Sequence, residues 1–238
     1  MGDPIVTALE NFCQQDDRGR AFAVWRVDRD HVAQDASGVD LYFRFDFVAV
    51  PTMPDTEHSG SAHDSVLYEA LKRKATRLMP PCFLRIWVDG NGNVVTEPSA
   101  TLTAPYTTSW AGSRKDFNLN PERWRSLPQA ARVAWMRDWG RMCNDRRDVA
   151  TSHALLHPEL AARKESALRT CNEEASKLAA QTASRLTRLQ GAARGQEADD
   201  AEREQMLYGM LREAIGSATV RLDVVGAFFV ATTAIEET

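Results

Sequence analysis

Apolar positions along this chain recur with two different periods, and each period predicts a different element. From Leu41 to Phe47 the side chains alternate. Leu41, Phe43, Phe45 and Phe47 fall on one face and Tyr42, Arg44 and Asp46 on the other, which is the period-two pattern of a strand with one face in a core. Ala21 to Val27 reads as a strand before it, and the polar loop from Asp28 to Gly38 predicts that the two form an antiparallel pair. Between Ser65 and Leu78 the period lengthens. Val66, Leu67, Ala70, Leu71, Ala75 and Leu78 make a helical stripe, while Lys72, Arg73, Lys74 and Arg77 crowd the later turns, where the macrodipole favours cations. Pro80 and Pro81 stop that helix. Phe83 to Val88 and Val94 to Thr96 then flank Asp89-Gly90-Asn91-Gly92, a sequence that supplies the positive φ angles of a tight hairpin turn.

The second half of the chain is written in helix-forming residues. Asn120 with Pro121 caps one helix, as Asp3 with Pro4 caps a short one near the N-terminus, and a further helix is predicted from Gln129 to Leu155. From Pro158 to Ile215 the chain is dense in Ala, Leu, Arg, Glu and Gln, which lose little side-chain entropy in a helix. Leu168, Cys171, Ala175, Leu178, Thr182, Leu186 and Leu189 step by three or four residues, as in a seam between lengthwise-packed helices. The charge run and two glycines of Gly191 to Asp200 predict a turn. Met206, Leu207, Met210, Leu211, Ala214 and Ile215 predict a returning helix, giving an antiparallel helical hairpin. Val220 to Thr232, rich in Val and Phe and interrupted by Gly226, predicts a strand that closes the sheet. The fold class is therefore α+β: a small antiparallel sheet with packed helices and a long inserted coiled-coil-like arm. The expected divisions are 1–128 for the first part of the body, 129–216 for the helical region, and 217–238 for the closing strand.

Charge changes this picture locally. The net formal charge of −4 excludes a protein that coats nucleic acid over its whole surface, yet Pro121 to Arg194 holds fourteen Arg and Lys against eight Asp and Glu. Basic positions on predicted helices are the candidates for binding nucleic acid or a partner: Arg123, Arg132, Arg137, Arg141, Arg146 and Arg147, with Lys72, Arg73, Lys74 and Arg77 of the earlier helix. No apolar run approaches the roughly 18 residues of a membrane span, and the N-terminal residues lack the pattern of a signal peptide. The expectation is a cytoplasmic protein.

The motifs of common chemistries are missing from the sequence. It has no phosphate loop, no dinucleotide fingerprint and no nucleophile elbow. Cys13, Cys82, Cys143 and Cys171 form no C-x-x-C pair and read as buried free thiols. His153 and His157 have the spacing of metal ligands on a helix, but Pro158 ends that turn at once. Asp16 and Asp17 beside Arg18 read as a salt-bridged loop, and Arg44 with Asp46 as part of a cross-strand ion pair. Trp25 and Trp87 belong to predicted strands and read as core, and Trp135 with Trp139 as helix packing. No cofactor and no metal is expected.

A set of scaffold positions resembles the region that follows the motor in bacterial Swi/Snf-related, HepA-like helicases. These are Asp16-Asp17-Arg18-Gly19 with Trp25, Tyr42-Phe43-x-Phe45-Asp46-Phe47, Leu71-Lys72-Arg73-Lys74-Ala75 with Pro80-Pro81, Ile86-Trp87-Val88-Asp89, Asn118-Leu119-Asn120-x-x-Arg123-Trp124, and Val220-Arg221-Leu222-Asp223-x-Val225-Gly226. Some such proteins are encoded in anti-phage defence islands of the Dpd and DISARM types. The resemblance implies a parent similar to ATP-dependent double-stranded DNA translocases, with its ATPase in cis or in trans. This chain would be its non-catalytic accessory region, contacting double-stranded DNA or coupling the motor to another defence protein. The alternative is a stand-alone protein-interaction module whose helical arm docks a partner subunit or a second copy, without touching nucleic acid. An enzyme with an unfamiliar site would require a cleft gathering Asp16, Arg44, Asp46 and Lys72.

Overall fold

A computed structural model describes residues 21–36, 38–53, 62–118 and 139–233. Strand β1, Ala21–Asp28, and strand β2, Val39–Val50, form where the alternation predicted them. Leu41, Phe43, Phe45 and Phe47 are all buried, with successive rings about 6 Å apart, whereas Tyr42, Arg44 and Asp46 on the opposite face are half-buried. Strand β3, Cys82–Asp89, strand β4, Arg114–Asn118, and strand β5, Thr219–Ala231, complete one five-stranded sheet. Helix α1 covers Ala62–Leu78, α2 is the single turn Ala100–Thr103, and α3 covers Trp139–Leu155. Helices α4, Pro158–Leu186, and α5, Gly191–Gly216, come immediately before β5. The fold is α+β.

The strand order is β3-β2-β5-β1-β4, so the expected antiparallel pairing of β1 with β2 does not occur. The last strand in sequence is inserted between them and runs parallel to β1, with Val24 opposite Phe228 and Trp25 opposite Phe229. The sheet is therefore mixed rather than antiparallel, because β4 pairs antiparallel with β1 on the other side. The ten-residue polar loop that suggested a hairpin instead spans the width of a strand. Asp40 holds it in place, accepting from the backbone N–H groups of Gln34 and Asp35 and lying 2.8 Å from His31 Nε2.

The turn after β3 forms as its glycines require, with Gly92 at φ +94° and Asp89 accepting from the backbone and side chain of Asn93. Its second arm is only a bridge, Val88 to Val94, before Ser99 caps the turn of α2. Strand β4 lies in a stretch whose sequence reads as irregular, because Arg114-Lys115-Asp116-Phe117-Asn118 is too polar to show a period. The helix expected at residues 3–13 and the one capped by Asn120 lie outside the described residues, as do the first ten residues of the helix expected from Gln129.

Two compact units emerge. The first comprises residues 1–47, 84–154 and 222–238, with the sheet and α3. The second comprises 48–83 and 155–221, and contains α1, α4 and α5. Within the second unit, Asn172, Glu174 and Arg185 of α4 meet Arg212, Tyr208 and Glu197 of α5, so these two helices run antiparallel. Cys171 and Thr182 of the seam are buried and the five other seam positions are half-buried, as the spacing predicted. The turn is shorter than expected. It occupies Thr187 to Gln190, and the charged run from Gly191 onward is already helical. Helix α1 packs against both α4 and α5, and its Leu71 and Ala75 are buried, so the hairpin belongs to a three-helix unit.

Close approach of two strands accounts for the glycine in β5. A Cβ at Gly226 would fall 2.4 Å from the ring of Phe22, its partner in β1. Gly226→Ala is therefore expected to cost about 1–3 kcal/mol by overpacking. Phe22→Ala in the same chain should recover part of that loss, with both read from chemical denaturation midpoints.

Candidate functional site

Three regions concentrate polar chemistry, and each can be built from its residues. The first is the face of the sheet formed by alternate residues of its strands. Arg26 of β1 is 1% exposed and donates through Nε and Nη2 to the two carboxylate oxygens of Asp116 on β4, at 2.6 and 2.8 Å. Its remaining donors reach the carbonyls of Thr101, Leu102 and Ala104 around α2. A buried guanidinium so fully paired is a structural pin rather than a reagent. Asp28, two residues on, accepts from the hydroxyls of Thr101 and Ser113 and the N–H of Asp30. Burial alone would raise its carboxyl pKa. The hydrogen bonds from Thr101, Asp30 and Ser113, with the charge of Arg114, outweigh burial and hold it below the ordinary value.

On the same face, Asp46 accepts from Arg44 of its own strand at 3.0 Å and from Arg85 of β3 at 2.7 Å. The cross-strand pair expected of Asp46 is thus made with Arg85. The Arg44 guanidinium lies 4.9 Å from the ring centre of Phe22 and 5.9 Å from that of Phe228. Burial lowers its pKa, and the nearby charges of Arg85 and Arg26 add to the effect against the pull of Asp46. Trp87, Phe228, Val24 and Leu102 close this face as a core cluster, which bears out the reading of Trp87 as core; Trp25 is buried on the opposite face against Phe229. Of the residues that an enzymatic cleft would gather, Asp16 lies outside the described residues. Arg44 and Asp46 bind each other.

The second region is the β3 turn, and it changes the meaning of one predicted binding residue. Arg146 of α3 donates to the carbonyl of Gly90 at 2.6 Å, and its guanidinium lies so near Gly92 that a Cβ there would come within 3.1 Å. It latches α3 to the turn rather than facing a ligand. Its neighbour Arg147 is exposed and only loosely paired, 3.4 Å from Asp148.

The third region lies in the helical unit. Lys74 of α1 donates to the Tyr208 hydroxyl at 2.6 Å, the hydroxyl donates to Glu174 at 3.3 Å, and Arg77 donates to both oxygens of Glu174 at 2.9 and 3.0 Å. This network ties together all three helices and consumes two more of the predicted binding cations. Lys72 and Arg73, by contrast, are exposed. Arg141 lies in α3, but its side chain, like Arg123, Arg132 and Arg137, lies outside what the structure describes. Beside the network, between α4 and α5, runs a groove of about 600 Å³. Small residues of α4 such as Ser176, Ala179 and Ala183 form one wall, and Ala201, Glu204, Gln205 and Arg212 of α5 form the other, with buried Tyr208 in its lining.

Sequence reasoning missed Tyr208. Met206, which the spacing places on the apolar face of α5, is 61% exposed, and the buried line runs instead through Tyr208, Leu211 and Ile215. That line was present in the spacing, hidden because Met206 and Leu207 are the more apolar pair. Cys82 and Cys171 are buried free thiols, and burial raises the pKa of each. Among the described residues no group of three His, Cys, Asp or Glu is placed to hold a metal ion. No helix among them is long and apolar enough to cross a membrane.

The buried pair sets two expectations. Asp116→Ala strands the Arg26 charge and is expected to cost roughly 3–5 kcal/mol in chemical denaturation, whereas the double change Arg26→Met with Asp116→Leu should recover much of that loss. The depressed Asp28 carboxyl contributes stability that is complete above about pH 4 and is lost as pH falls through its folded value. Asp28→Asn should therefore lower stability at pH 6 and flatten its fall below pH 4, as read from melting temperatures across that range.

No family model matches the chain, and no curated protein matches it.

Proposed function

We propose that this chain is a non-catalytic docking module, acting as the accessory region of a Swi/Snf-type DNA translocase and coupling it to a protein partner through the α4/α5 helical unit. The observation that carries this reading is the groove of about 600 Å³ between those helices, lined mostly by small and uncharged side chains with few formal charges. Such a lining suits another helix better than a small reactive molecule. The ionisable groups deepest in the fold, Arg26, Asp28, Asp40 and Asp116, each have their hydrogen-bonding capacity taken up by structural partners. That leaves little in the sheet to perform acid–base chemistry. The translocase context and a role in anti-phage defence rest on the resemblance of the scaffold positions.

Charge favours docking over DNA for the hairpin itself. Helix α5 carries six Asp and Glu against three Arg, and α4 carries four acidic against five basic residues, so together they are slightly acidic. A phosphate-tracking arm would carry the opposite balance. A second reading, direct contact with double-stranded DNA, is supported by exposed Lys72 and Arg73 on α1 and Arg147 on α3. Fluorescence anisotropy with labelled duplex DNA across salt concentrations separates the two. Docking predicts weak binding that Lys72→Glu with Arg73→Glu leaves unchanged. A salt slope that falls by about 1 to 2 in that double variant would establish DNA contact instead.

A further inference from the structure

We propose that the loop along the outer edge of β4 is a stacking platform for single-stranded nucleic acid, on which Trp110 and Tyr106 take unpaired bases and Arg29, lying over Trp110, takes a backbone phosphate. The site belongs to the first unit and is independent of how the helical unit docks.

Thr107 anchors this loop to the strand. Its carbonyl accepts from the backbone N–H of Asp116, its own N–H donates to the Asp116 carboxylate, and its hydroxyl lies 3.2 Å from that of Ser109. Further along, Ala111 and Arg114 exchange backbone hydrogen bonds around Gly112, whose φ of +64° suits the tight turn. Beside these anchors stand Tyr106, 51% exposed, and Trp110, 44% exposed. Because the backbone beneath both rings is already fixed, a ligand need not bear the cost of ordering it.

Arg29 supplies the charge. Its backbone N–H donates to the Ser113 carbonyl, and its guanidinium lies 4.0 Å from the centre of the Trp110 ring. Among the described side chains of the first unit, Arg26, Arg44, Arg85, Arg114, Arg146 and Arg147 each donate to a carboxylate or a carbonyl. The Arg29 side chain is exposed and has no such acceptor among the described residues. Stacking holds its plane and leaves its edge donors for two parallel hydrogen bonds to a phosphate. Lys115, opposite Val27 in the β1–β4 ladder, lies 4.9 Å from the ring centre of Phe117 and adds a second cation to this edge. No Asp or Glu occurs from residue 98 to 115. Asp30 is the exposed carboxylate beside Arg29, whereas Asp28 and Asp116 are buried and taken up by Thr101, Ser113 and Arg26.

This combination selects an unpaired strand. In a duplex the base faces are already covered by their neighbours, so an exposed ring finds a free π-face only on single-stranded bases, where stacking tolerates any sequence. An acidic peptide would satisfy the arginine but offer no flat partner to the two rings.

Fluorescence anisotropy of the full 238-residue chain tests the proposal, with labelled oligothymidine and oligouridine of about 12 nucleotides set against a dT·dA duplex. At least one single strand is expected to bind more tightly than the duplex. Trp110→Ala should weaken that binding about tenfold or more, Trp110→Phe should retain most of it, and Tyr106→Ala should also weaken it. Arg29→Ala should lower the salt slope by about 0.7, and Arg29→Lys, which keeps the charge without the planar stack, should restore the slope but not the affinity. Circular dichroism melting confirms that each variant is folded. Should Trp110→Ala fail there, the Arg29 and Tyr106 variants, both at exposed positions, decide the matter. Absence of binding to either single strand at about 100 μM protein and low salt overturns the proposal and leaves the exposed rings to a protein partner. Single-strand binding that Trp110→Ala and Arg29→Ala both leave unchanged overturns it too, because the strand would then lie on another face. Duplex binding as tight as that of both single strands defeats the stacking assignment.

Discussion

Arg26 brings a full positive charge into the interior of the sheet, and much of the first unit is arranged to make that tolerable. A guanidinium at 1% exposure is stable only if each of its donors finds an acceptor, and these come from two separate segments: Asp116 on β4 and the carbonyls of Thr101, Leu102 and Ala104 around α2. The pairing therefore fixes β4 beside β1, positions the α2 turn over the sheet, and sets the register in which Arg26 faces Asp116. The same carboxylate accepts from Thr107 N, which holds the loop leading into β4. Two residues away Asp28 repeats the device with neutral donors, Thr101 and Ser113, so the end of β1 is clamped to the same loop from a second side.

That clamp supports a sheet whose connectivity is otherwise demanding. Strand β5 enters between β1 and β2 after all three helices of residues 139–216 have been traversed, so a central ladder of the sheet is made by the last described element of the chain. A strand in that place is flanked on both edges and needs to be apolar on both faces. This explains the run Ala227-Phe228-Phe229-Val230-Ala231, all buried, where alternation is absent. Phe22 pressing on Gly226 and Trp25 stacking on Phe229 show how closely β1 and β5 are fitted. Loop-closure entropy over such a separation is offset only by a large, well-packed contact, which this pair of strands supplies.

The helical unit is held by different means. In its seam only Cys171 and Thr182 are fully buried, while Leu168, Leu178, Leu186 and Leu189 are half-buried, so it buries little apolar area per turn. The Lys74–Tyr208–Glu174–Arg77 network and the packing of α1 add what the seam lacks. Beyond the network the two long helices retain a groove. The cations that looked displayed on α1 prove divided in role, with Lys74 half-buried against Tyr208, Arg77 paired with Glu174 while still exposed, and Lys72 and Arg73 left in water. No rule of composition separates these pairs. Their difference follows from the angle each occupies on the helix relative to Glu174, a residue a hundred positions away.

The chain by itself determined the elements whose pattern is local: the alternating core face of β2, the turn at Asp89 to Gly92, α1 before Pro80, the seam of α4 and the closing strand. In each, side chains two, three or four residues apart must share a face, and that requirement is written directly into the order of residues. Only the tertiary structure decided the rest. Strand β4 is a strand because Asp116 meets Arg26 and its backbone pairs with β1, not because of its own composition. The β1–β2 loop is a crossover because β5 arrives between them, and Arg146 is a latch because a distant turn presents the Gly90 carbonyl. Such facts depend on contacts between residues scores of positions apart. Their free energy is realised only when both segments are already in place, so it leaves no periodic trace in the sequence around either one.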